Sequence, residues 1–559
     1  MLPNSLLPTL LPKPQFRAVL LAGYGVDLFP LVEPPTPSSS PSSTTDEQSA
    51  SSSGVGQTKA LLPVAGRKMI DWVLERVEQA GVFDILVLTP ESISKPMSHH
   101  LRARRSTPSS SSGQSSSSGS GSSGSHPSTA KVELEEIPED VASRGTVRVL
   151  MWAAEKGLIT TDFLLLPCDL LLSPSPSSPL SLASLLDRHR TSHNLITTLF
   201  STRSSGLVAS AAQKERGPPE VLTVWDKTSE RLLDVREMDE FDQDEVPIRT
   251  SLLSKYPSPT LTTSLLPTQL YIFSSLLLPL LRTTNDPKLL RRLKSFESVR
   301  DLVGWIARTH WRKRGIEDIS LASAGSKGSE GAEGTGTGGG LAMGRSTTQF
   351  PTYTSPSTQP QAARSTNSRS EPQTPGTTTP TPALLPRTSW LDPSHTSPSS
   401  TNVAAGGSGS GGCKIVIWND SDGFCARGNT VPGYIELNRA ALKLLPAQTT
   451  SPTSTPSGVF ISPDSFLHPT VYAQLGEKVG IKRCILGKGT AVGRNSKLVN
   501  CVLMEGCSIG ENVKLDNCVI SNGVVIKDRA VLRDCELGQG VVVAVDSQLK
   551  GEQLTVGDE

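Results

Sequence analysis

Near the C-terminal end of the chain, aliphatic residues fall on a ladder: Leu475, Ile481, Leu486, Val492, Leu498, Leu503, Ile509, Leu515, Ile520, Ile526, Leu532, Leu537, Val543 and Leu549. The steps of five and six residues recur in a period of 17, and Cys484, Cys501, Cys518 and Cys535 mark the same period. The surrounding blocks IKRCILG, LVNCVLM, LDNCVIS and LRDCELG repeat an aliphatic residue, two residues that are polar apart from Val499, a cysteine and a further aliphatic position. This spacing excludes a helix and predicts a parallel β-helix, with one inward aliphatic residue per face of a three-sided coil. Gly480, Gly487, Gly493, Gly510 and Gly538 follow the ladder and are expected at turns. One coil buries about three such side chains at ~1.5–3 kcal/mol each, against ~1–2 kcal/mol per residue for ordering its backbone. Coils must therefore stack, and an open end needs a cap, a neighbouring domain or a partner. The cysteine column reads as small packing residues in that stack rather than as a metal or redox ladder.

The N-terminal part has a different period. Phe16–Ala22 (FRAVLLA) is an apolar run suited to a buried parallel strand, and it ends in the glycine turn Gly23-Tyr24-Gly25. A turn of this kind leaves backbone N–H groups free for a phosphate, although GxG alone is a weak signal. KALLPV (59–64), an amphipathic helix over 69–80 and a strand over 85–89 complete a β-α-β unit. A helix over 145–155 leads to a strand over 163–166 that ends in Asp169. A carboxylate at the carboxyl end of a parallel strand is where open α/β sheets place ligand or metal chemistry; the other reading of Asp169 is a helix or turn cap. Strands are expected at 221–225 and 270–273, with 231–233 returning as a hairpin. The stretch 237–245 is an acidic, solvated face, and 289–314 is a basic amphipathic helical region whose Trp305 and Trp311 pack on the sheet. Cys413 and Cys425 read as packing residues.

Composition divides the chain further. Tracts rich in Ser, Pro, Thr and Gly at 34–57, 106–128, 322–412 and 448–457 cannot bury enough apolar surface to offset the entropy of ordering them. With 54 basic and 53 acidic side chains the net charge is +1, and no basic block marks a nucleic-acid binder, so no direct nucleic-acid contact is expected. The run 2–11 is broken by Pro3 and Pro8 and lacks a charged leader, and no stretch of about 18 apolar residues appears, so no membrane association is expected. Eight cysteines without a CxxC pair fit reduced thiols in the cytosol.

LLAGYGVDLFPLVE and TKALLPVAGRKMIDWVLERVEQAG resemble the opening signature of the nucleoside-diphosphate-sugar pyrophosphorylases. That family joins a nucleotidyltransferase-like sheet domain to a left-handed β-helix of hexapeptides. The resemblance implies an α/β fold: a nucleotidyltransferase-like mixed sheet domain over 15–320 with disordered inserts at about 34–57 and 106–130. It also implies a disordered insert over 321–412, a last strand and helix over 413–445, a linker over 446–460 and the left-handed parallel β-helix over 461–550. Asp27 stands where the family carries its catalytic arginine and would repel phosphates. A low-complexity insertion separates Lys59 from the glycine turn.

The segments RGTVRVLMWAAEKGLITTDFLLLPCDLLL, ERLLDVREMDEFDQDEVPIRTSLLSKYPSPTLTTSLLPTQLYIF, FESVRDLVGWIARTHWRKRG and CKIVIWNDSDGFCARGNTVPGYIELNRAAL are similar, in order, to the gamma-type subunits of the guanine-nucleotide exchange factor for eukaryotic translation initiation factor two. The epsilon-type paralogue adds a helical-repeat exchange domain, whereas ten residues follow Leu549 here. The resemblance therefore implies a noncatalytic subunit without a cofactor, with an epsilon-type partner performing GDP/GTP exchange and with the regulatory subunits and initiation factor two as further partners. Two alternatives stay open. One is an active sugar-1-phosphate nucleotidyltransferase of the GDP-mannose pyrophosphorylase type, using Gly23, Gly25, Lys59 and a magnesium ion near Asp169. The other is a vestigial site in which the same four residues hold GTP or ATP without reaction.

Overall fold

A computed structural model describes residues 15–32, 57–106, 130–202, 220–240, 248–282, 286–311, 412–445 and 456–556. Nearly all of the expected inserts over 34–57, 106–130 and 321–412 lies outside the described residues, as do 446–455 of the expected linker over 446–460 and 241–245 of the acidic stretch.

The apolar run after Gln15 forms β1 (Phe16–Leu21), buried on both faces because parallel neighbours flank it. The chain continues through a small hairpin, β2 (Pro63–Val64) and β3 (Arg67–Lys68), into helix α1 (Met69–Gln79) and strand β4 (Asp84–Pro90). Helix α2 (Glu91–Ser106), β5 (Lys131–Ile137), the short α3 (Glu139–Ala142) and α4 (Thr146–Glu155) follow. Next come β6 (Asp162–Pro167), β7 (Leu170–Pro174), α5 (Leu182–Ser192) and β8 (Ile196–Thr202). The hairpin expected around Arg231 is β9 (Val221–Asp226) and β10 (Arg231–Glu237), and β11 (Thr260–Thr262) and β12 (Leu265–Phe273) complete this part. After the undescribed segment come β13 (Cys413–Trp418) and β14 (Gly423–Arg427).

Ten strands make one mixed sheet in the order β11-β9-β10-β13-β8-β12-β6-β1-β4-β5. Strand β13 enters the middle of the sheet, parallel to β8 and antiparallel to β10, so the chain after the insert completes the N-terminal domain. The region 289–314, expected as one helical stretch, is two helices, Pro287–Ser295 and Val299–Trp311, because Phe296 leaves the helical backbone with ψ 128. Trp305 is buried in the core on that side of the sheet, and the Trp311 side chain is outside the described residues. Cys413 is buried in the large sheet while Cys425 sits in the separate β7–β14 pair, so the two share no site. Among the described residues, no helix is long and apolar enough to cross a membrane.

The aliphatic ladder builds the second domain, a left-handed parallel β-helix of three sheets. The first face stacks Phe460–Ile461, Gly480–Lys482, Lys497–Val499, Lys514–Asp516, Val531–Arg533 and Gln548–Lys550. The second stacks Phe466–Leu467, Ile485–Leu486, Val502–Leu503, Val519–Ile520, Glu536–Leu537 and Gln553–Leu554. The third has four strands, Ala491–Val492, Ser508–Ile509, Val525–Ile526 and Val542–Val543. Partners are 17 residues apart in register, as in Leu498↔Leu515↔Leu532, so each ladder residue stacks on its equivalent inside the coil. The thiols of Cys484, Cys501, Cys518 and Cys535 lie in this core, each donating to the carbonyl two residues before it at 3.1–3.3 Å.

The corner chemistry differs from the expectation for glycine. The left-handed corner residues form three other 17-residue columns: Lys478, Asn495, Asn512, Arg529 and Asp546; Arg483, Asn500, Asn517 and Asp534; and Gly489, Gly506, Gly523 and Gly540. Asn and Asp tolerate this conformation, and stacked amides tie the columns together, with Asn500 donating to Asn517 at 3.1 Å and Asn517 to Asp534 at 2.6 Å. Gly487, Gly493 and Gly510 have ordinary φ; they are required because a Cβ would lie 2.7 Å from Met504 O, 2.5 Å from Gly510 O and 2.8 Å from Asp528 N respectively, all backbone of the next coil. Close approach of the next coil, rather than turn conformation, selects them.

One face of the β-helix is covered by its own chain. Ile485, Val502 and Val519 point outward from the second face and join a buried cluster with Leu28, Leu31, Trp72, Tyr434 and Leu437 of the sheet domain. Helix Val431–Leu444 supplies much of that contact; the Arg439 guanidinium donates to Asn517 at 3.2 Å, and Lys68 pairs with Glu505 at 3.2 Å. In the repeat blocks this is the position just after the cysteine; in the fourth block it is Glu536, which is buried and accepts from Gln553 Nε2 at 2.6 Å, the same amide that reaches Phe29 O at 3.5 Å.

Candidate functional site

Strand β1 delivers the glycine turn at its carboxyl end, where Ala22 N–H still donates to Leu88 O at 2.9 Å. Gly25 has φ 80 and caps a short 3-10 helix, Val26–Leu28, which carries the exposed Asp27. A Cβ on Gly25 would lie 2.7 Å from the Lys59 Cβ, so only glycine lets this turn close over Lys59. Lys59 comes from a second 3-10 turn, Lys59–Leu61, and is buried. The insertion thus leaves Lys59 beside the turn, and the structure brings Gly25, Lys59 and Asp169 together. Gly23 is exposed and lines the cleft alongside Lys59.

Asp169 follows β6 and Cys168 and precedes β7. Its side chain is fully buried, with Lys59 Nζ 2.5 Å from one carboxylate oxygen. Arg427 grips both oxygens, Nε at 3.1 Å and the terminal nitrogen at 3.0 Å. The antiparallel register that places Arg427 opposite Leu170 puts the guanidinium beside Asp169, and Gly428 N–H donates to the Asp169 carbonyl at 2.9 Å. Asp169 is therefore the centre of a buried two-cation ion cluster, not a helix or turn cap. Burial alone would raise its pKa, but Arg427 and Lys59 outweigh burial and hold the carboxyl at about 2.

That depression has a pH consequence. The carboxyl titrates near 3.8 when unfolded, so its contribution is complete above about pH 4 and is lost as pH falls through about 2. Acid unfolding between those limits should remove about 2 kcal/mol through this group. Urea titrations at stepped pH should show the loss in the native protein and a flatter profile when Lys59, Asp169 and Arg427 are all replaced by apolar residues; identical profiles would contradict the assignment.

Above the ion cluster lies a cleft of about 190 Å³ whose wall includes Gly23, Tyr24, Lys59, Gln269, Tyr271 and Arg427, the rest being largely aliphatic. It is smaller than the ~300–1,000 Å³ common for small-molecule sites. Tyr24 donates its hydroxyl to Glu139, whose other oxygen accepts from Ser92 N–H at 2.9 Å, tying the glycine turn to α2 and α3. A magnesium ion does not fit this donor set. The single strand-exit carboxylate is saturated by two cations, and among the described residues no group of three or more acidic, His or Cys side chains is arranged to hold a metal.

Two site residues escape sequence reasoning. Arg427 lies 258 residues from its partner, and the signal was a lone arginine ending a short strand before Gly428. Gln269 adopts φ 57 in the cleft wall, at a register shift between Pro267 and Leu270. A proline inside a strand pattern marks such a bulge.

The fold defines the class as far as a mixed α/β sheet domain, carrying this cleft, joined to a hexapeptide-type β-helix. Residues 471–556 match the family model described as GlmU-like, C-terminal hexapeptide. Compared with curated proteins, the chain matches none.

Proposed function

We propose that this chain is a noncatalytic subunit, of the gamma type, of the guanine-nucleotide exchange factor for translation initiation factor two. In this role it supports GDP/GTP exchange by an epsilon-type paralogue in the cytosol and contacts the regulatory subunits and initiation factor two. The observation that carries the reading is the Asp169 cluster. Metal-assisted phosphoryl transfer needs a carboxylate free to hold the ion, and here Lys59 and Arg427 occupy it. Asp27, in place of the family's arginine, supports the same conclusion. The β-helix supports a scaffolding role, since among the described residues only its second face is covered, and its edge strands and other two faces offer surface to partners.

The competing reading, a sugar-1-phosphate nucleotidyltransferase of the GDP-mannose type, draws on the hexapeptide match and on Lys59 beside the glycine turn. Native purification of the tagged chain from its own cells, followed by intact-mass measurement, checks the proposal. It should recover a larger paralogue with the same two domains together with initiation-factor components. Recovery of the chain alone, or only as a homo-oligomer, would contradict it.

A further inference from the structure

The three faces of the β-helix are chemically unequal. The second docks on the sheet domain, and the third presents Ala491, Ser508, Val525 and Val542. On the first, the outward positions from Gly480 to Lys550 carry five exposed cations, Lys482, Lys497, Lys514, Arg533 and Lys550, against one anion, Asp516. Lys497 stands directly opposite Lys514 in the ladder, and Arg533 opposite Lys550, on neighbouring strands about 4.8 Å apart, while Asp516 is the register partner of Arg533 on its other side. Such like-charge pairs are destabilising, and the fold does not demand them, because Val531 and Gln548 occupy the same column. The adjacent corner shows the usual solution, with Arg494 paired to Glu511 and Arg529 to Asp546. Among the described residues, none of the five first-face cations has a carboxylate within 4 Å.

We propose that this face docks an acidic protein segment, extended along the stack so that its carboxylates meet the lysine and arginine columns. The inference stands on charge geometry and is independent of the exchange-factor reading. Val499 and Val531, half-buried between the cations, offer apolar contact to the stems of such a segment. Single-stranded nucleic acid fits less well, because base stacking needs an aromatic platform. The outward strand positions offer only Phe460, already under Lys482 Nζ at 5.6 Å from the ring centre.

The test uses the full chain and fluorescence anisotropy with two probes of equal length, a labelled polyglutamate peptide and a labelled oligouridylate, at low and physiological ionic strength. Two variants are compared: Lys497→Glu/Lys514→Glu/Arg533→Glu on the face, and Lys288→Glu/Arg291→Glu/Lys294→Glu on an exposed helix of the sheet domain, which changes net charge equally. The peptide should bind the native chain, lose about tenfold or more in affinity with the face variant, and change less than about threefold with the other. A Lys497→Gln/Lys514→Gln/Arg533→Gln variant repeats the test with side chains that this sheet already accommodates at Gln548. No peptide binding, equal loss in both charge-reversed variants, or tighter binding of the RNA would each overturn the proposal.

Discussion

Replacing Leu515 with Ala should lower stability by about 2–5 kcal/mol, the largest expected effect of a single apolar truncation in the β-helix. Leu515 is 1% exposed and sits between Leu498 and Leu532 in the central coils. A solenoid is held by contacts between nearest coils, so a cavity in the middle weakens two interfaces at once. The neighbouring Lys514, on the same strand but facing solvent, provides the contrast: Lys514→Ala should stay within about 0.5 kcal/mol. Urea unfolding followed through the β-sheet circular dichroism signal reads both. A loss below 1 kcal/mol for Leu515→Ala would show that the ladder is not the core.

Asp169→Ala should cost about 3–5 kcal/mol, because it leaves Lys59 and Arg427 facing each other, largely buried, with no counter-charge. The combined variant Lys59→Met/Asp169→Leu/Arg427→Met removes all three charges and should recover most of that loss, since a buried ion cluster replaced by apolar side chains is often neutral in stability. Thermal unfolding of the two variants beside the native chain makes the comparison. A group kept for metal chemistry would behave differently: Asp169→Ala would leave stability nearly unchanged. Equal melting temperatures for the native chain and Asp169→Ala would therefore contradict the structural role assigned here.

The β-helix is legible in the sequence because its constraint is local and repeated. Every coil needs one inward aliphatic residue per face, and from Ile481 to Leu537 the ladder reads it directly. What escaped was the reason for its glycines, since close approach between Gly510 and Asp528 is a contact between coils that a period does not reveal. In the sheet domain, β1, β4 and β6 were readable as apolar runs buried on both faces. The place of β13 in the middle of the sheet was not, because the pairing joins residues on either side of a long insert. The site follows the same rule. Gly25, Lys59 and Asp169 stand at element ends that the sequence marks, whereas Arg427 acquires its role only through the register of β14 on β7. The docking of the second face was also hidden, although Ile485, Val502 and Val519, apolar where a free coil would carry polar side chains, were its trace.

The proposed noncatalytic role requires that the strand-exit carboxylate, held by Lys59 and Arg427, takes no part in phosphoryl transfer. The most direct measurement is pyrophosphate release by the purified chain with magnesium, GTP or ATP, and mannose- or glucose-1-phosphate. The account predicts no release above the protein-free background with any pairing. Sustained, magnesium-dependent release that disappears with Asp169→Asn would contradict it.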